Sequence, residues 1–345
     1  MQTLLTELLG IEHPIMLAGM NGVAWSDVVA AVSEAGGCGV LGAEGWPAEQ
    51  LRDECQKVRS LTKKPYGVDF LIAVNDNPIE CVQVAIDEGA EVLVAGLGVP
   101  QRIIDMCHEA GMVVMSMAGK VDHAVKAAKS GVDVVIAQGS EAGGHTGSIG
   151  SIALWPQVVD AVQVPVLAAG GIVDGRGLIA ALAMGCHGVW VGTRFIASKE
   201  ARAHHYYKQR ILESTAADTV ISKCWTGKTL RAFRNETTDY YEKNPGELKP
   251  FPLQIMTSIE KSLLGFSLGP DLPDDVAPKS CLPAGQGCGA INEIKSCKEI
   301  INEMMAEAQA ILARGVIPSH GKEKSLLESH GAIPGLEPDT FVGKD

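Results

Sequence analysis

From residue 14 to residue 192 the chain alternates short, almost wholly apolar runs with longer stretches whose apolar positions recur every three or four residues. The runs are PIML (14–17), GVLGA (39–43), YGVDFLI (66–72), EVLVAG (91–96), MVVMSMA (112–118), VDVVIAQ (132–138), PVLAAG (165–170) and GVWVG (188–192). Unbroken apolar runs of this length predict strands covered on both faces, as in a parallel sheet. The stretches between them, such as SDVVAAVSEAGG, PAEQLRDECQKVRSL, PIECVQVAIDEGA, PQRIIDMCHEAG, VDHAVKAAKSG and GRGLIAALAMG, predict helices. Several open on Ser, Asp or Pro and close on Gly, the residues that satisfy helix ends.

Eight such βα units predict an α/β fold closed as a (β/α)8, or TIM, barrel over residues 1–213. An open doubly wound sheet is the alternative, but its Gly-x-Gly-x-x-Gly turn is not at the first βα junction. Beyond residue 213 the pattern breaks. Residues 214–292, of mixed polarity with a Tyr-Tyr pair and a Pro-rich end, read as a segment folded over the barrel mouth. INEIKSCKEIINEMMAEAQAIL (291–312) predicts a helix packing back on the barrel, so that 293–345 form a C-terminal helix and a loosely held tail. The extension as a whole is expected to be mainly helical.

Composition narrows the function. A net charge of −12 disfavours nucleic acid and anionic membranes as partners. No apolar run approaches a bilayer span of roughly 20 residues, and MQTLLTELLGIEHP lacks the basic start of a signal peptide, so a cytoplasmic enzyme is expected. The nine cysteines are scattered without a Cys-x-x-Cys pair and read mostly as small buried hydrophobes. Cys281 and Cys288, beside a glycine-rich turn, stand apart, but further ligands for a metal are not evident and none is expected.

Barrel chemistry sits at the C-terminal ends of the strands, and the residues there are unusual. AGMNG follows the first run, Asp69 lies in the third, Lys120 ends the fifth, QGSEAGGHTG follows the sixth, AGGIVDGRG the seventh and GTRF the eighth. Gly170, Gly171, Gly192 and Thr193 fall where barrels commonly bind phosphate through backbone N–H groups; the alternative is that they only tighten two βα turns. In QGSEAGGHTG the glycines around His145 imply either a sharp turn or a closely approaching ligand. Lys120 reads either as a positive charge for a reducible cofactor or as a solvated lysine at a helix start. Glu141 reads as solvent-facing, the alternative being that it tunes the His145 pKa; His204 and His205 read as surface residues, and His13, His108, His123 and His187 as structural.

Taken together, PIMLAGM, PYGVD, QGSEAGGHTG, PVLAAGGIVDGRG and VGTRF resemble the nitronate monooxygenase family, formerly 2-nitropropane dioxygenases, which is related to FMN-dependent enoyl-acyl-carrier-protein reductases. The resemblance runs in register over roughly residues 10–292. It implies non-covalent FMN, with Ala18, Gly19 and Met20 beside the flavin ring and Gln138 and Gly139, with Gly143 and Gly144, bordering it. It implies a phosphate cradle of Gly170, Gly171, Gly192 and Thr193, a Lys120 charge near the flavin, and His145 as the catalytic residue. Asp69 stands where many relatives carry Asn, and AGQG around Gln286 resembles a turn reaching the substrate site from the extension. The implied reaction is oxidation of a small nitronate by oxygen to a carbonyl compound and nitrite. NAD(P)H-dependent reduction of an enoyl thioester or quinone is the alternative, and a homo-oligomer is left open.

Overall fold

The computed structural model describes residues 1–72, 75, 77–96 and 98–315. Residues Met1–Ala308 form one compact unit. Of the second unit, Gln309–Asp345, the described part is the end of the helix Cys297–Arg314; the tail expected beyond it lies outside the described residues.

Each apolar run is a strand: β1 (Ile15–Leu17), β2 (Gly39–Gly42), β3 (Tyr66–Phe70), β4 (Val92–Ala95), β5 (Val113–Ala118), β6 (Val134–Gln138), β8 (Val166–Ala169) and β9 (Gly188–Val191). The two-residue strand β7 (Gly144–His145) and the later β10 (Thr219–Ser222) and β11 (Leu230–Phe233) lie outside this set. All eight barrel strands pair in parallel, in the order β1-β9-β8-β6-β5-β4-β3-β2. The ring closes through a single parallel bridge, Met16 to Cys38, where Leu17 N donates to Cys38 O at 2.9 Å and Cys38 N to Ile15 O at 3.0 Å. The open doubly wound sheet is thereby excluded.

Successive strand residues point to opposite faces, so one alternate set fills the barrel. Met16, Val40, Val92, Val94, Met115, Val134, Ile136, Leu167 and Trp190 are buried together there. Burying each such side chain stabilises the fold by about 1.5–3 kcal/mol. The helix Leu4–Leu9 contributes Leu5 and Leu9 to the same cluster, and its N-cap Thr3 hydroxyl donates to His187 O at 2.7 Å. That end is the N-terminal end of the strands, which leaves the opposite mouth for chemistry.

The extension is mainly helical, with Glu236–Lys243, Leu253–Glu260 and several single 3₁₀ turns, but it also contains an antiparallel pair. Strands β10 and β11 pair with each other, and β11 continues onto β7, with Leu230 opposite His145 and Arg231 opposite Gly144. A separate apolar cluster of Cys224, Trp225, Leu230, Ala232, Tyr241, Leu263 and Cys281 anchors this small sheet. All nine cysteines are buried and free, Cys281 and Cys288 included.

Candidate active site

At the ends of β8 and β9 the backbone N–H groups of Gly170, Gly171, Gly192 and Thr193 donate to no protein acceptor among the described residues. Gly170 and Gly171 sit at φ of 105° and 74°, the left-handed region that favours glycine. Because β8 and β9 are hydrogen-bonded neighbours, these four donors share one edge of the mouth. A Cβ built on Gly192 would meet nothing closer than Met20 Sδ at 3.4 Å, so there is room above this edge. Unpaired N–H groups are costly unless water or a ligand receives them, and this donor set fits a phosphate ester. Thr193 Oγ1 is engaged separately, accepting from Gly285 N at 2.9 Å.

The turn after β1 meets β2 and β3. A Cβ on Gly19 would lie 2.6 Å from Asp69 Oδ2, and one on Gly42 would lie 2.5 Å from Met20 N, so glycine at both positions lets three strand ends converge. Ala18 and Asp69 are each 8% exposed. No hydrogen bond engages the Asp69 carboxyl among the described residues; burial, with the neighbouring Glu44, holds its pKa well above the usual carboxylate range. Glu44 is itself raised by burial, while its carboxylate accepts from Leu71 N at 2.8 Å. A protonated Asp69 donates as an amide does.

The loop after β6 packs directly on β8. A Cβ on Gly139 would come within 2.6 Å of Ser151 Cα, and one on Gly170 within 3.2 Å of Gly139 O. Glu141, expected in solvent, instead accepts from Ser151 N at 2.9 Å and Ser151 Oγ at 3.0 Å, a carboxylate at the start of the helix Ser151–Ala161. The free N–H groups of a helix start attract it there. Gln138 Nε2 donates to His145 O at 2.6 Å, and Thr146 Oγ1 donates to Gly139 O at 3.2 Å.

His145 Nε2 lies 2.9 Å from Thr226 Oγ1, and no partner engages Nδ1 among the described residues. His145 remains exposed to solvent, while surrounding protein partly desolvates its ring. Desolvation, assisted by the Lys228 charge, lowers its pKa. Imidazole at neutral pH is therefore uncharged and able to accept a proton.

The extension closes on this loop at two places. Thr146 and Thr229 exchange hydrogen bonds, and Arg231 donates from Nε to Ser140 O and from Nη1 to Thr219 Oγ1, both at 2.9 Å. The AGQG turn lies against Gly143, whose Cβ would sit 2.7 Å from the Ala284 carbonyl carbon, and Gln286 N donates to Glu141 O at 2.9 Å. Gln286 thus stands with Gly143, Gly144 and His145 on one side of the mouth.

Lys120 is exposed and forms the N-cap of the helix Val121–Lys129 through its backbone only. Its position at the end of β5 keeps it on the mouth rim. His204, expected at the surface, is buried as the N-cap of the helix His205–Glu213, its Nδ1 accepting from Tyr206 N at 3.2 Å. A cleft of about 460 Å³, lined by Tyr206, Arg210 and Arg234 among others, touches none of the expected site residues. Sequence reasoning missed Thr226, Arg231 and Ser151, because their roles arise from contacts 81, 91 and 10 residues away.

A barrel mouth with unpaired backbone N–H groups at the ends of two neighbouring strands, and an uncharged histidine on the loop packed beside them, fits a cofactor-dependent oxidoreductase. The nitronate monooxygenase family model matches residues 2–80 and 70–307, and the chain belongs to that family of flavin-dependent enzymes. It is 33% identical to a probable nitronate monooxygenase of Staphylococcus aureus, over 75% of this chain and 86% of that one. A Staphylococcus haemolyticus counterpart is 34% identical, with the same coverage. Among solved structures, FabK from Thermotoga maritima superposes with a TM-score of 0.83 at 35% identity, covering 92% of this chain and all of that chain. A nitroalkane oxidase from Streptomyces ansochromogenes gives 0.78 at 28% identity, covering 89% and 99%. Among the described residues no helix is long and apolar enough to cross a membrane.

Proposed function

We propose that this chain binds FMN non-covalently and oxidises small alkyl nitronates with oxygen, yielding a carbonyl compound and nitrite. The observation that carries the reading is the loop 139–145: it abuts the unpaired N–H groups of Gly170 and Gly171 while presenting an uncharged His145 with a free ring nitrogen.

Gly170, Gly171, Gly192 and Thr193 would hold the cofactor phosphate, and Ala18, Gly19, Met20, Asp69, Gln138, Gly139, Gly143, Gly144 and Lys120 would border the rest of it. The bound cofactor supplies the electron acceptor. The protein orients and shields the substrate. His145 holds the nitro group by a hydrogen bond or takes a proton from a nitroalkane at Nδ1, Gln138 fixes the loop backbone beneath it, and Gln286 borders the substrate side. Residues 1–213 supply the cofactor barrel, 214–292 the cover and 293–345 the closing helix and tail, and the cytoplasm suits all of these parts.

The likeness to FabK favours a second reading, NAD(P)H-dependent reduction of an activated double bond, such as an enoyl thioester, or of a quinone. Anaerobic mixing of the FMN-loaded protein separates the two. Loss of flavin absorbance with the nitronate of 2-nitropropane, and not with NADH or NADPH, is expected. Reduction by a nicotinamide alone would replace the first reading with the second.

A further inference from the structure

The segment 219–233 is more than a cover, because it holds the side chain that, among the described residues, hydrogen-bonds the His145 ring. Thr226 is 5% exposed and follows Trp225, which is completely buried in the extension's own apolar cluster. Its hydroxyl has three neighbours: His145 Nε2 at 2.9 Å, Lys228 N at 3.3 Å, which donates to it, and Lys228 O at 3.4 Å, which accepts from it. The pairing of β11 with β7 fixes the distance between the two loops.

We propose that Thr226 is the positioning residue of His145: it accepts the Nε2 proton, so that the neutral ring is held as the Nε2–H tautomer and Nδ1 becomes the reactive nitrogen. A neutral imidazole accepts a proton only at the nitrogen without hydrogen. Nδ1 is the nitrogen left free by the protein, and the Thr226 hydroxyl can spare a lone pair for Nε2–H because its own proton has an acceptor in Lys228 O. When Nδ1 gains a proton, Nε2–H keeps the same partner and nothing has to move. Of the nearby charged groups, Lys228 on the hairpin acts on the ring, whereas Arg231 is turned toward Ser140 and Glu141 is tied to Ser151.

This inference rests on His145 being the proton-accepting residue, but its test does not depend on turnover. Long-range ¹⁵N–¹H spectra of the FMN-loaded protein, with the His145 signals assigned by their loss in His145→Gln, report the tautomer directly. The Nε2–H pattern is expected in the wild type and in Thr226→Ser, and mixed tautomers in Thr226→Val. In parallel, kcat for the nitronate or enoyl substrate, whichever turns over, should fall about tenfold in Thr226→Val with KM little changed, and recover in Thr226→Ser. An Nδ1–H pattern in the wild type would overturn the proposal outright, even if Thr226→Val fails to fold. Unchanged tautomer and kcat in a folded Thr226→Val would overturn it as well.

Discussion

The Asp69 carboxyl lies against the Gly19 backbone, so near that a Cβ on Gly19 would sit 2.6 Å from Oδ2. The contact locks the turn after β1 to the end of β3. It also seals the carboxyl from solvent beside a second acid, Glu44, and burial first, with that neighbour second, raises its pKa well above the usual carboxylate range.

An acid whose native pKa exceeds its unfolded value, about 3.9 for Asp, contributes stability that is complete below the unfolded pKa and is lost as pH rises through the native value. Asp69→Asn keeps the shape and removes the titration. Its FMN-free Tm should match the wild type near about pH 4 and exceed it by about 2–4 °C near about pH 8. Calorimetry across this range checks it, and a Tm difference that does not vary with pH would refute the assignment.

Gly192 has φ −104°, which any residue adopts, and its missing Cβ would make only ordinary contacts. Gly192→Ala should therefore fold with an unchanged Tm. The methyl group, however, enters the space above the four free N–H groups, and FMN affinity by fluorescence titration should fall at least about tenfold, or about 1.4 kcal/mol. Full affinity would move the phosphate away from this edge.

The barrel was legible in the sequence because buried parallel strands write themselves as unbroken apolar runs, and PVLAAG and GVWVG could hardly be anything else. The extension's strands were not. TVIS and LRAF are four residues each, too short for a period to register, and β7 consists only of Gly144 and His145. Its pairing with Leu230 and Arg231 is a long-range event without a local signature. The position of His145 was visible from its glycines; the hydroxyl holding its ring was not, since nothing in WTGKT distinguishes Thr226 from an ordinary turn residue. Likewise the acid of Glu141 read as solvated because its partner, Ser151, becomes a helix start only in the folded chain.

Gly143 supports the AGQG turn by having no side chain. Gly143→Ala would drive a methyl to 2.7 Å from the Ala284 carbonyl carbon, a backbone atom that cannot swing away. A cost of about 1–3 kcal/mol is expected in denaturant unfolding, together with loss of substrate saturation as Gln286 is displaced. Wild-type stability in this variant would mean that the turn and the loop are not packed as described.

His145→Gln removes the proton acceptor while retaining a side chain that can bond to Thr226. Turnover should fall by roughly 100-fold or more, and FMN should remain bound because the N–H groups proposed to hold its phosphate lie on β8 and β9. Absorbance after gel filtration measures retention, and loss of flavin would instead make His145 part of the cofactor site.

Lys228 contributes to lowering the pKa of His145. Two causes lower the histidine pKa, desolvation first and the Lys228 charge second, so protonation and loss of activity occur below the ordinary value of about 6.5. Lys228→Met preserves packing on Phe251, over which the ammonium sits at 4.1 Å, and deletes only the charge. The acidic limb of kcat/KM should then move upward, yet stay under about 6.5, because the larger desolvation cause remains. Raising ionic strength should move the wild-type limb in the same direction and leave the variant unaffected, since salt weakens a charge it can reach but not burial. A limb that stays in place, or moves down, in Lys228→Met would show that the lysine does not act on this ring. Histidine NMR titration reads the same pKa without any substrate, so a silent assay would not leave the question open.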